Sequence, residues 1–368
     1  ASLINRRREK NMKTKIAIAC QGGGSQTAFT AGVFKAFFEH KVQEKYEIVS
    51  LSGTSGGGIC AFFAWLALHL GYDHCEDLIE FWENNSATTT KEQFINHLMI
   101  TWVNAVNKGM IPAFNHSPSS KLSKTIAKAA TAGLRPEFSD LKTLLTMHAD
   151  FGKMEEFKGK APVLVLGACN ILSGRLTKFS SYNEVIQPEH LMASACIPDI
   201  FPAVEIGKNA YWDGLFSDNP PIDALLKAPI IGSFRPDEIW VIKINPTACD
   251  HIPTEISEIA DRRNQLEGNV SLFQNLGQIE FLNLLFELGA YDKNHMASNG
   301  ITHEIRIPKA FPDDPDKPYH IPMIEMSSEL QKSMNFASKL DRDPAHIKLL
   351  IDDGYKQGIN FLKAIGVI

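Results

Sequence analysis

Ser55 lies in Gly53-Thr54-Ser55-Gly56-Gly57-Gly58, between the apolar runs at residues 46–51 and 59–70. The first run is strand-like, and the second is long enough for about three turns of helix. A Gly-x-Ser-x-Gly at a strand-to-helix junction is the pattern of a nucleophile elbow. The turn is tight enough to strain the serine backbone, so Gly53 and Gly57 are expected to keep its flanks clear of side chains. The hydroxyl then stands at the positive end of the following helix. The plain alternative is a glycine-rich turn with an incidental serine.

A serine nucleophile needs an oxyanion site. Gly22, Gly23 and Gly24 follow the apolar run at 13–20 and precede a helical pattern at 27–40. Successive backbone amides at a helix N-terminus can point at a developing negative charge. A right-handed crossover from one parallel strand to its neighbour would bring this loop and Ser55 to one carboxyl edge of the sheet. A dinucleotide fingerprint fits less well, because the third glycine is missing and no Walker lysine follows. A tight turn with no ligand is the remaining reading.

The base that activates the serine is open to two readings. A late histidine would complete a Ser-His-Asp triad, and His303, His320 and His346 are available. The spacing disagrees, since the glycine loop lies only one helix upstream of Ser55. Alternatively, Asp213 in the turn Asp213-Gly214 follows the short strand-like Tyr211-Trp212. A desolvated carboxylate there could take the serine proton if the oxyanion is strongly held.

These groups need a scaffold. Strand, glycine loop, helix, strand, elbow and helix form a βαβ unit with a parallel strand pair. Residues 72–150 read as a helical insertion, with helices at 74–84, 93–108, 120–132 and 139–150, the last capped by Ser139 or Asp140. Met99, Ile100, Trp102, Val103, Met110, Ile111 and Phe114 would form an apolar wall, more often ordinary core than a lipid pocket. Residues 161–170 and 238–244 are buried strands, and 175–180 is a hairpin partner. A short helix at 190–196 leads into Ile197-Pro198-Asp199-Ile200-Phe201-Pro202. The remainder reads as a long helix at 255–288, a strand at 302–307, a proline-rich loop at 308–322 and helices at 328–339 and 343–364. The expected domain plan is a disordered basic leader at 1–12, with Met12 a candidate start. One α/β domain then occupies 13–368, with the insertion at about 72–150 and a helical C-terminal extension at about 250–368.

Composition narrows the function. The 368 residues are 44% hydrophobic and carry a net charge of −5, which argues against a nucleic-acid partner. The six cysteines are scattered without a CxxC pair, as expected of reduced thiols rather than disulfides or a zinc site. No apolar run is long enough to span a bilayer. A cytoplasmic protein, at most peripheral at membranes, is expected. Oligomeric state has no signature.

Gly22-Gly23-Gly24, Gly53-Thr54-Ser55-Gly56-Gly57, Ala193-Ser194-Ala195-Cys196-Ile197-Pro198 with Phe201-Pro202, and Asp213-Gly214 together resemble the motifs of patatin-like phospholipases. Their order and context match over residues 15–244. The resemblance implies an α/β fold with a mainly parallel central sheet sandwiched by helices. It implies a Ser–Asp dyad without catalytic histidine, with Ser55 the nucleophile, Asp213 the base and Gly22, Gly23 and Gly24 the oxyanion hole. It also implies calcium-independent hydrolysis of phospholipid or lysophospholipid esters, with no metal or cofactor and transient contact with a membrane surface. Two positions depart from the family pattern. Ser25-Gln26 stand where an arginine is common, and Leu215 stands where a small residue often follows Asp-Gly. The rival readings are a histidine-triad esterase and a lipid-binding protein that kept the fold and lost activity.

Overall fold

The computed structural model describes residues 13–113, 117–198, 200–298, 301–309 and 321–368. The basic leader at 1–12, Phe114, Asp199 and most of the proline-rich loop with His320 lie outside the described residues.

The chain opens with β1 (Lys15–Cys20), a 3₁₀ turn at Gly24–Thr27, α1 (Ala28–Glu39), β2 (Glu47–Thr54) and α2 (Gly56–Leu70). The insertion contributes α3 (Glu76–Asn85), α4 (Thr90–Asn107), α5 (Lys121–Thr131) and α6 (Leu141–His148). Asp140 caps α6 by accepting the amide of Thr143. There follow β3 (Val163–Asn170), β4 (Arg175–Ser180), α7 (Pro188–Ser194), β5 (Val204–Ile206), β6 (Asn209–Asp213) and β7 (Glu238–Lys243). The 32-residue α8 (Ile256–Glu287), β8 (Ile324–Glu325), α9 (Ser328–Ser333) and α10 (Pro344–Ala364) follow, with short helices and 3₁₀ turns between the elements named here.

The strands form one mixed sheet in the order β5-β6-β3-β2-β1-β7-β8, with β4 paired to β3. The central pairs β1–β2, β2–β3 and β1–β7 are parallel, so their carboxyl ends share one edge. Apolar residues on both sheet faces are buried, as a helix-covered parallel sheet demands. On one face Ile16, Ile18, Leu51 and Trp240 meet Phe29, Phe37, Trp65 and Leu350. On the other Ala17, Ala19, Val163 and Val241 meet Leu272, Leu276 and Ile279 of α8. α10 docks on α1 with almost no gap, since a β-carbon on Gly354 would lie 1.9 Å from the Phe29 carbonyl oxygen. This is the mainly parallel α/β sandwich expected from the sequence.

Three expectations change. Residues 302–307 make an isolated bridge rather than a strand, through Arg306 opposite Glu238. β8 takes the far end of the same β7 edge, so neither segment extends into a long ladder. Residues 328–339 split into α9 and a 3₁₀ turn at Ala337–Lys339. Asn335 causes the break, because its side-chain oxygen accepts the amide of Ser338 while its own amide donates to the Ser338 hydroxyl. The wall on α4 is not core: Met99, Trp102 and nearby Met110 are exposed.

That reversal has a polar cause. The buried residues of α4 are Glu92 and Asn96. Asn96 holds Asp341 at 2.7 Å and accepts the amide of Arg342 at 2.9 Å. Glu92 closes a capping box with Thr89 and takes Arg135 at 2.9 Å. Burial works to raise the Glu92 pKa, but Arg135 and the amides of Thr89 and Arg135 outweigh it and hold the carboxyl at about 2. The resulting stability is present above the ordinary carboxylate range and is lost as pH falls toward 2. Glu92→Gln is expected to destabilise the protein by about 3 kcal/mol near neutrality by breaking a buried pair. Chemical denaturation of both proteins across acid pH should show the deficit shrinking as Glu92 protonates.

Candidate active site

The parallel pairing of β1 with β2 puts Cys20 opposite Gly53, so the glycine loop and the elbow leave the sheet side by side. Ser55 adopts φ 57° and ψ −134°, a strained conformation for a residue with a side chain. Such strain costs roughly 1–3 kcal/mol and must be imposed by its surroundings. Gly57 permits the turn, since a β-carbon there would lie 2.5 Å from the carbonyl oxygens of Cys20 and Gln21. Gly53 meets the same limit, 2.6 Å from the Gly57 oxygen.

The end of α7 holds the strained serine in place. The Ser55 amide donates to the carbonyl and hydroxyl oxygens of Ser194, at 3.1 and 3.0 Å. The Ser194 hydroxyl donates onward to the Gly167 carbonyl at 2.7 Å. Two residues later, the Cys196 carbonyl accepts the amide of Asp213 at 2.8 Å. One short segment therefore braces both Ser55 and Asp213.

Asp213 reaches the serine through β3. Residues 163–167 of β3 pair with β2, ending at Gly167 opposite Thr54. Residues 168–170 pair with β6, starting at Ala168 opposite Asp213. Since β4 covers 165–170 on the other edge, β2 and β6 share one edge and meet end to end. Gly214 then folds over Gly167, where a β-carbon would lie 2.3 Å from the Gly167 oxygen.

The Asp213 carboxylate is 1% exposed, while Ser55 keeps 8%. It accepts the amide of Leu215 at 2.8 Å, and the Ser55 side chain stands near enough to lower its pKa. Burial raises its pKa; the Leu215 amide and the nearby Ser55 side chain pull it back, leaving it at about 6. The carboxylate is therefore a stronger base than an exposed aspartate and still ionised at neutral pH.

The glycine loop is rooted in Gln21, which is fully buried. Its side-chain oxygen accepts the amides of Ile244 and Asn245, and its nitrogen donates to Gly268 and Asn269 of α8. The Gly22 amide is already committed, donating to the Asn219 side-chain oxygen at 2.6 Å. No such partner is seen for the amides of Gly23 and Gly24 among the described residues. Gly24 has φ +58°, and the Lys339 carbonyl lies where its β-carbon would stand. Gln26, in the place where an arginine was expected, donates to the Ser338 hydroxyl at 2.8 Å. The nearby cation is Lys339, whose ammonium holds Asn245 at 2.7 Å and whose pKa burial pushes down to about 8.

Among the described residues, neither His303 nor His346 meets this site. His303 binds Asp237 at 2.8 Å, beside the first residue of β1 and so at the amino edge of the sheet. That is about 16 Å from the carboxyl edge along a six-residue strand. His346 faces the Ser338 carbonyl from the first turn of α10, and His320 lies outside the described residues. Asn219, Gln21 and the Ser194 brace escaped sequence reasoning. Ser194 lies within the Ala193–Pro198 motif but has no chemical signature of its own, and Asn219 sits before two prolines with nothing local to mark it.

The family model for patatin-like phospholipases matches residues 18–226, more than half of the chain. Comparison with curated proteins finds no match. Among solved structures, VipD from Legionella pneumophila is 13% identical, with 96% of this chain and 67% of that one covered at a TM-score of 0.43. Full-length ExoU of the Pseudomonas aeruginosa type III secretion system, solved in complex with SpcU, is 16% identical at a TM-score of 0.24. That comparison covers 72% of this chain and about half (53%) of the other.

The raised pKa of Asp213 carries a stability cost with a definite sign. Stability from this group is full below the ordinary carboxylate range and is lost as pH rises through about 6. Asp213→Asn removes the buried charge, so at alkaline pH the variant should be more stable than wild type by up to about 3 kcal/mol. The advantage should disappear in acid. Thermal melts of both proteins across that range provide the check.

Proposed function

The chain belongs to the patatin-like phospholipase family and is in general terms a lipid acyl hydrolase; on that footing we propose that it cleaves phospholipid or lysophospholipid esters through a Ser55–Asp213 dyad. The observation that carries this reading is the buried Asp213 carboxylate, its pKa raised by burial and lowered by the nearby side chain of Ser55, a serine at a strained elbow.

In the first half-reaction the Ser55 oxygen attacks the ester carbonyl and its proton passes to Asp213. The carbonyl oxygen becomes an oxyanion facing the amides of Gly23 and Gly24 at the N-terminal end of the 3₁₀ turn. Gly22 acts here as a close-packing residue, since its amide is taken by Asn219. Collapse expels the alcohol portion of the lipid, which leaves with the proton from Asp213. In the second half-reaction water attacks the acyl-enzyme, gives its proton to Asp213 and releases the fatty acid while Ser55 regains a proton.

Two features make aspartate an adequate base. Burial strengthens it toward the serine hydroxyl, and preorganised amides lower the barrier without reorganising at the moment of reaction. The helix dipole of α2 adds to the positive field at Ser55. The proposed chemistry calls on no metal or cofactor, and residues 13–368 are read as one domain with its insertion and C-terminal extension. The proposal extends to a cytoplasmic protein that meets membranes peripherally.

Ser55→Ala and Asp213→Asn should each lower kcat by about 10³-fold or more. His303→Ala and His346→Ala should leave it within a few-fold. Fatty acid release from a mixed phospholipid and lysophospholipid digest, followed by mass spectrometry, measures all four and identifies the preferred headgroup. Wild-type turnover by Asp213→Asn would overturn the dyad.

A further inference from the structure

α5 buries none of its residues. Its sequence, Lys-Leu-Ser-Lys-Thr-Ile-Ala-Lys-Ala-Ala-Thr, is nonetheless strongly two-sided. Lys121, Lys124 and Lys128 fall on one side of the helix, and Leu122 and Ile126 on another, 72% and 59% exposed. α4 is inside out in the same sense. It buries Glu92 and Asn96, while Phe94 and Leu98, one turn apart, are 66% and 57% exposed.

Charge is segregated with the apolar surface. Between Glu92 and Glu137 the sequence holds no carboxylate and five cations, Lys108, Lys121, Lys124, Lys128 and Arg135, in a chain of net charge −5. Arg135 is spent on Glu92 and on the Ser86 carbonyl. No acidic partner is seen for the three lysines of α5 among the described residues. An exposed apolar stripe on a globular protein normally marks an interaction surface. A basic helix with an uncovered apolar side lies well in the headgroup layer of an anionic bilayer, where lysine stems bury and ammonium groups reach phosphates.

We propose that α5 docks the protein on anionic lipid bilayers, inserting Leu122 and Ile126 while Lys121, Lys124 and Lys128 engage the headgroup phosphates. The buried Glu92–Arg135 pair ties the start of α4 to the segment that follows α5, and Arg342 stacks 3.6 Å over Phe138 beside it. Docking rests on the lipid-ester reading only for its purpose, which is to bring the site to its substrate's surface.

The test is co-sedimentation of the full chain with pure phosphatidylcholine vesicles and with equimolar phosphatidylcholine and phosphatidylserine vesicles. Wild type should bind the anionic vesicles more tightly, with affinity falling as salt rises. The variant Lys121→Gln, Lys124→Gln, Lys128→Gln should lose on the order of 100-fold in affinity for them. Leu122→Ser with Ile126→Ser should weaken binding to both vesicle types. All these residues are exposed or half-exposed, so both variants should keep wild-type hydrolysis of a soluble short-chain ester. Binding of wild type that ignores phosphatidylserine, or that the lysine variant retains within about twofold, would overturn the proposal, including the case in which α5 docks a protein partner instead. Loss of ester hydrolysis in wild type with vesicle binding intact would count against the dyad and leave the docking surface standing.

Discussion

One edge of β3 serves two strands in succession, and the proposed chemistry depends on that arrangement. β2 occupies the edge up to Gly167 and β6 takes it over at Ala168, so their last residues, Thr54 and Asp213, arrive from opposite directions. Ser55 and Asp213 are separated by 158 positions in the chain (213 − 55) yet are placed by the register of a single strand. Side chains at Gly167 and Gly214 would prevent the close crossing of the Asp213 turn. The α7 segment then ties the two backbones through Ser194 and Cys196. Slipping β6 by one residue would turn Asp213 to the opposite face and disconnect the pair.

The same packing sets the electrostatics. Asp213 is basic because it is buried, and it stays ionised near neutrality because the Leu215 amide donates to it and the Ser55 side chain lies close. The cost of that buried charge and of the strained serine falls on the rest of the fold, in which two extensive apolar clusters flank the sheet. The C-terminal part of the chain shares in this. Asn269 of α8 receives Gln21, and Lys339 presses its carbonyl on Gly24 and its ammonium on Asn245. The glycine loop is thus shaped from behind by residues more than 200 positions downstream.

Much of this was legible from residue type and spacing. The elbow, the glycine loop and the parallel β1–β2 pair follow from short-range patterns, because a tight turn and a crossover leave local signatures. Asp213 was a weak candidate alone, since Asp-Gly turns are common; its meaning came from resemblance and its geometry from the register of β3. The Ser194 brace and Asn219 were not legible, because hydrogen bonds between distant segments have no periodicity. Gly22 looked like an oxyanion donor for the same reason: nothing local announces that Asn219 takes its amide. On α4 the periodic apolar stripe was visible, but periodicity cannot say which side faces inward. Buried Glu92 and Asn96, held by Arg135 and Asp341, decided that orientation.

The central claim is that Asp213 alone activates Ser55. The most direct measurement is the rate of fluorophosphonate labelling as a function of pH, with the modified peptide identified by mass spectrometry. The account predicts labelling at Ser55, with a rate that rises through an apparent pKa of about 6 and loses that titration in Asp213→Asn. Labelling at another residue, or an unchanged titration in Asp213→Asn, would contradict it.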